Sequence, residues 1–364
     1  MQRAMPQKQS RQSNFELLRI LAMFAIIVFH YACWIQDRID LQGGTVDYVL
    51  YWGMRPLGQL GNSLFVLISG YFMVNMEFRL RRVARMWAEM AFYSWFFTAL
   101  RMLLGWRPSA ESLYKLLLPA LGGQYAFMSF FILLSLLAPF LNKLIHALDR
   151  SGLRRLNALL FVIFGVLDPV VPGGFASFTW LGTFIFLYCL AAYLRLYPDA
   201  LAFCRRPGRC FAVAALIAAF QLVWIVLCGL FGGRFSFLRP DRFSDMRTAP
   251  QMLLALFLFL GFARLRVPHS RLINRVASAA LGVYLLHFGG ALRMPILDVV
   301  WGAFGDGGTA MMLPKVFALA LATCVVCVPV DLLRQRFVEP LYMRLIDRLP
   351  PVRRELEAQK AAKI

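Results

Sequence analysis

Apolar runs long enough to cross a bilayer recur along this chain, and they restrict it to a bundle of membrane helices. Ten are expected, near 15–35, 57–76, 84–105, 122–145, 155–172, 175–197, 210–231, 250–267, 276–296 and 312–333. A helix rising 1.5 Å per residue needs about twenty residues to cross a hydrocarbon layer of ~30 Å. Lipid offers no partner to backbone N–H and C=O groups, so each run satisfies its own by coiling into a helix. The chain is 60% hydrophobic over 364 residues, too apolar for an ordinary soluble domain. Its first run is too long for a signal-peptide core and has no small-residue cleavage site after it, so it is expected to be retained.

A net charge of +20 raises the question of nucleic acid. The basic residues, however, gather in alternate loops. With the N-terminus in the cytoplasm, most of the 39 Lys and Arg fall on that side, among them Arg79, Arg81, Arg82 and Arg85, then Arg205, Arg206 and Arg209, then Arg264, Arg266, Arg271 and Arg275, then Arg334 and Arg336. This is the positive-inside pattern of a membrane protein, and it explains the charge without a nucleic-acid partner. The expected fold is an all-α integral membrane protein of about ten transmembrane helices with both termini cytoplasmic. A cytoplasmic tail (1–13) and a polar tail (349–364), solvated as a helix or unfolded, would flank a membrane domain over 14–348.

Local signals fill in the frame. Ser13 and Glu16 have the spacing of a capping box at the start of the first helix. Seven cysteines without metal spacing read as small buried hydrophobes, including Cys324 and Cys327 inside the last apolar run. Neither HExxH nor a glycine-rich phosphate loop is present, and no metal is expected. Asp168 and Asp298 fall at outer helix ends, where they would cap or pair locally, and His146 and His269 fall in solvated cytoplasmic loops.

Within the first run, Arg19 and His30 stand eleven residues apart, three turns at about 3.67 residues each, hence on nearly one helix face. His30 then lies roughly 16 Å deeper than Arg19, about half the depth of the bilayer core. An ionisable side chain at that depth must face protein or a watery cavity, which makes it a functional candidate; the alternative is an interhelical hydrogen bond that serves packing.

Four further groups could join it. Arg82 and Arg85, three residues apart, share a helix face and suit phosphate through charge-assisted contacts, or else anionic lipid headgroups. Ser69 and Gly70 lie inside the second run, where small residues permit close packing, and no base neighbours Ser69 to make it a nucleophile. His287, in SAALGVYLLHF, is also buried and could approach His30 or merely pair with a carbonyl. Glu339 follows the tenth helix and could meet the basic mouth.

In this order the motifs resemble the acyltransferase-3 family of bacterial integral-membrane O-acyltransferases, especially members that acetylate exopolysaccharide, capsule or O-antigen. The resemblance is carried by Arg19 with ten residues before His30, FVLISGYF at 65–72, Arg82 with Arg85, and VYLLHF at 283–288. The stretch 124–145 is similar to the family's fourth helix but has Phe127 and Ser135 where a Trp and a Tyr would be expected. The resemblance implies a cytoplasmic acyl-CoA donor, usually acetyl-CoA, and a glycan or glycolipid hydroxyl as acceptor, at the bacterial cytoplasmic membrane. It makes His30 the catalytic histidine. Arg19, Arg82 and Arg85 would hold the CoA phosphates or shape the donor cavity, with Ser69, His287 and Glu339 in support. Two other readings keep the same helices: acyl transfer to the hydroxyl of a small molecule or antibiotic, and a multi-pass transporter or flippase of a glycan precursor.

Overall fold

In the computed structural model, the residues described are 12–36, 41–43, 45–121, 125–167, 179–232, 238–289, 293–303 and 311–361. Asp168 and nearly all of the N-terminal tail lie outside them.

Fifteen α-helices and no strand occur among the described residues. In chain order they are α1 (Ser13–Trp34), α2 (Val46–Met73), α3 (Leu80–Leu103), α4 (Ala110–Leu117), α5 (Ala126–Ala147), α6 (Arg150–Phe161), α7 (Thr179–Leu196), α8 (Pro207–Phe231), α9 (Ala249–Arg264), α10 (Arg271–Ser278), α11 (Ala280–Phe288), α12 (Arg293–Ala303), α13 (Met312–Phe337), α14 (Glu339–Arg348) and α15 (Pro350–Ala361). A π-helical segment, Val162–Leu167, extends α6.

Four of these, α1, α5, α8 and α13, are long and apolar enough to cross a membrane. With the apolar outer faces described below, they make this a membrane protein. Shorter apolar helices include α9 and most of α7. The sequence predicts ten spans; α2 and α3 are long enough but carry Arg55, Gln59, Arg85 and Glu89, which lower their hydropathy. The run expected over 276–296 is divided: α10 stops at Ser278, α11 starts at Ala280, and Ala279 between them departs from regular helical ψ.

Alpha-1 is the axis of the bundle. Its first half, through Phe15, Leu18 and Ala22, packs into a core shared with α2, α5, α7 and α9. Its second half, through Ile26, Ile27 and Tyr31, packs into a core shared with α3, α11 and α13. Both are closed by large apolar side chains, the usual interior of a helical bundle. On the outside, α8 exposes Leu216, Phe220, Val223 and Leu230, and α13 exposes Phe317, Leu321 and Val325. Such apolar outer faces are what a lipid environment accepts.

The capping box does not form. Helix α1 is entered from Gln12, which makes no side-chain cap. Ser13 Oγ instead donates to Asn274 Oδ1 at 3.2 Å and accepts from the Ser270 amide at 2.9 Å, tying α1 to the start of α10. Glu16, freed of the cap, pairs with Arg19. The polar C-terminal stretch is a helix docked on α3: Val352 is buried with Met343 and Ile346 against Leu80 and Ala84. All seven cysteines are free thiols. His146 and His269 are exposed, but His146 Nε2 lies 3.1 Å from the Val74 carbonyl and His269 Nε2 lies 3.1 Å from Asn274 Nδ2.

Candidate functional site

A cavity of about 510 Å³ opens where α1, α2, α3, α5, α10, α11 and α13 converge. Arg19 lines it from α1, Ser69 from α2, and Arg82 and Arg85 from α3, so four of the residues singled out in the sequence meet at one site. Its apolar wall comes from Met23, Ile26, Phe65, Met86, Phe127, Met128, Phe131 and Leu281. A largely apolar hollow with a few charged groups at one end is the usual form of a small-molecule site.

The charged end is set by short local contacts. Arg19 Nη1 pairs with Glu16 Oε2 at 2.8 Å, one helical turn back. Arg82 Nη1 donates to the Glu77 carbonyl at 3.3 Å. Arg85 makes a two-point contact with Glu339, Nε to Oε1 at 2.8 Å and Nη2 to Oε2 at 3.2 Å. The predicted approach of Glu339 to the basic mouth is therefore made. Ser69 Oγ donates to the Phe65 carbonyl at 2.8 Å, so its hydroxyl hydrogen is held by its own helix. Among the described residues, no group of three or more side chains could hold a metal ion.

Behind this end lies a buried ionic network that sequence reasoning missed. Arg334, counted above as a loop cation, has only 3% of its side chain exposed. Its guanidinium reaches Glu89 at 2.9 Å, Asp331 at 2.7 Å and Glu339 at 3.4 Å, and donates to the Tyr342 hydroxyl. Asp331 also accepts from Tyr93 at 2.8 Å and from Gln335 at 2.7 Å. Gly282 makes room for this carboxylate, which occupies the space a Cβ would take there. Glu89 and Gln335 line the cavity, so the network forms part of its wall. The signal was present: Glu89 inside an apolar stretch, and Asp331 three residues before Arg334 on one helix face.

His30 lies just beyond the deep end of the cavity. Ile26, four residues earlier and hence one turn back, is a wall residue. Tyr284, another wall residue, has its ring 6.4 Å from that of His30 and 6.0 Å from that of His287. The two histidines meet: His30 Nδ1 and His287 Nε2 are 2.8 Å apart. His287 is fully buried, and its Nδ1 is 2.7 Å from the Val283 carbonyl of its own helix. Both alternatives left open for His287 are thus realised at once, one on each ring nitrogen.

The proton arrangement follows. A carbonyl only accepts, so His287 Nδ1 carries the hydrogen. With a neutral ring, His287 Nε2 is then an acceptor, and His30 Nδ1 must donate to it. Neutral His30 is left with its lone pair on Nε2. On its other side, the His30 ring is stacked on Trp34 at 5.4 Å, with planes 15° apart. Nearby, Arg55 lies over the rings of Phe29, Tyr51 and Trp52 at 5.7, 5.6 and 5.2 Å and donates to the Tyr51 hydroxyl at 2.8 Å.

A family model described as an acyltransferase domain, the third of that name, matches residues 12–332. That span contains α1 through most of α13, including both histidines and the three arginines. No curated protein and no solved structure matches the chain.

Proposed function

The chain belongs to this acyltransferase-domain family, and from that premise we propose that it moves an acetyl group from acetyl-CoA to a glycan hydroxyl. The acceptor is a cell-surface polysaccharide or its lipid-linked precursor, and the enzyme sits in the bacterial cytoplasmic membrane with the cavity mouth towards the cytoplasm. One observation carries the reading: a histidine pair stands one turn beyond a cavity whose mouth bears Arg82 and Arg85.

The chemistry divides along that axis. Arg82 and Arg85 hold the donor phosphates through charge-assisted contacts, with Glu339 giving way to the anion. The thioester arm occupies the apolar cavity, where little water competes for the acyl group. His30 Nε2 takes the proton of the acceptor hydroxyl as its oxygen attacks the thioester carbonyl carbon. The C–O bond forms, the C–S bond breaks, and the proton passes to the departing sulfur to give the ester and free CoA. A sugar hydroxyl is far too weak an acid to attack unaided, and a positioned base of this kind contributes on the order of 10²–10⁴-fold. On the acceptor side, the indole of Trp34 offers a flat platform, with Tyr51, Trp52 and Arg55 beyond it; rings and hydrogen-bonding groups together suit a pyranose.

Membranes carrying the wild type or His30→Ala, supplied with acetyl-CoA and envelope glycan, test this. The wild type is expected to release CoA and acetylate the glycan, and the variant to do neither. Normal turnover by His30→Ala sinks the catalytic role of His30. Acetyl-CoA consumption without any change in glycan acetylation would favour the small-molecule acceptor instead.

A further inference from the structure

The reaction proposed above generates a charge for which the histidine pair makes no provision. As the thioester carbonyl is attacked, its oxygen becomes an oxyanion, and stabilising that charge is commonly the largest single contribution to such a reaction. His30 handles the proton and His287 orients His30, so a separate hydrogen-bond donor is required.

Tyr125 is suited to this task. It stands immediately before α5, is fully buried, and its hydroxyl has no hydrogen-bond partner among the described residues. Its ring belongs to the cage that holds the histidines. The Tyr125 ring lies 6.1 Å from Tyr284 and 6.0 Å from Phe288, while His30 lies 6.4 Å and 5.0 Å from the same two rings. The hydroxyl projects towards Gly289, the C-cap of α11 and only two residues after His287; a Cβ at Gly289 would come within 3.2 Å of it.

Packing alone gives no reason for the oxygen. Phenylalanine would fill the same cage without burying an unsatisfied hydroxyl, and such a group is costly to keep. A buried, preorganised donor among packed aromatic rings is also where a hydrogen bond to a developing charge is strong.

We infer that Tyr125 is the oxyanion donor: its phenolic O–H hydrogen-bonds to the thioester carbonyl oxygen as the tetrahedral intermediate forms. No proton leaves Tyr125. The acceptor proton goes to His30 Nε2, the oxyanion accepts the Tyr125 hydrogen bond, and collapse expels the CoA sulfur, which takes the proton from His30. The inference rests on the acyl-transfer reading above.

Tyr125→Phe tests it, assayed beside wild type and His30→Ala with acetyl-CoA and the glycan acceptor, with thermal unfolding measured in detergent. Loss of one oxyanion donor is expected to lower kcat by about 10²-fold or more while leaving KM for acetyl-CoA within about twofold. The unfolding temperature should stay level or rise, because the oxygen removed has no hydrogen-bond partner among the described residues. Wild-type kcat in Tyr125→Phe beside an inactive His30→Ala would overturn this inference and leave the proposed function standing. A lowered unfolding temperature would overturn it too, by giving the hydroxyl a structural role. A wild type that transfers no acetyl group would overturn the proposed function, and this inference with it.

Discussion

Arg85 on α3 and Glu339 at the start of α14 are joined by two contacts, of 2.8 and 3.2 Å, at the mouth of the cavity. A carboxylate gripping an arginine at two points occupies the same donors that a phosphate oxygen pair would use. Under the proposed function, Glu339 is thus an internal competitor for the donor phosphates. Arg85 is half exposed, so the pair itself contributes little, of the order of 0–1 kcal/mol.

Removing that competition should favour the donor. Glu339→Gln is expected to lower KM for acetyl-CoA by up to about fivefold, the affinity equivalent of ~1 kcal/mol. Arg85→Ala should raise it, and the rise should shrink in high salt. Initial rates against donor concentration at two ionic strengths read both. An unchanged KM in both variants would separate Arg85 from the donor.

His287 should act on rate rather than on donor binding, since it touches His30 and does not itself line the cavity. His287→Leu removes the acceptor for His30 Nδ1–H, and the ring can then adopt the unproductive tautomer. A fall in kcat of about 10²-fold or more is expected, at unchanged KM, because base catalysis of this type supplies about that much. His287→Gln retains an oxygen that can accept from Nδ1 and should recover part of the loss. Equal rates for the Leu and Gln variants would deny the positioning role.

Arg334 is the only cation found against three carboxylates, two of them buried, among the described residues. Arg334→Met leaves Glu89 and Asp331 without their counter-charge, and breaking a buried pair from one side costs about 3–5 kcal/mol. Thermal unfolding in detergent should show a large destabilisation, or the protein should fail to accumulate. Arg336→Met, on the same helix and exposed, serves as the control and should behave as wild type.

Gly282→Ala puts a methyl group where the Asp331 carboxylate now lies. Overpacking of this kind costs about 1–3 kcal/mol. The shift should also loosen the link from α11 to α13, so a lowered unfolding temperature should accompany a reduced kcat. A variant with normal stability and rate would mean that the carboxylate has another position available at no cost.

Long apolar runs and the distribution of arginine made the helical membrane character legible from residues in order, because both are properties of the chain relative to its solvent. The same local periodicity aligned Arg19 with His30 and Arg82 with Arg85, and motif order suggested the family that the domain match over residues 12–332 bears out. What periodicity could not give was anything that depends on two helices meeting. Ser13 and Glu16 have capping spacing, yet their oxygens are used by Asn274, by the Ser270 amide and by Arg19. Arg334 reads as one more basic residue after a membrane run and is instead the buried centre of a network from α3, α13 and α14. His287 could have paired with a carbonyl or with His30; only the packing of α11 against α1 brings His30 to its second nitrogen, 257 residues away in sequence. The reason is physical. Solvent preference and helical period are written into each segment, whereas a hydrogen bond or an ion pair between segments exists only once their backbones have been brought within a few ångströms.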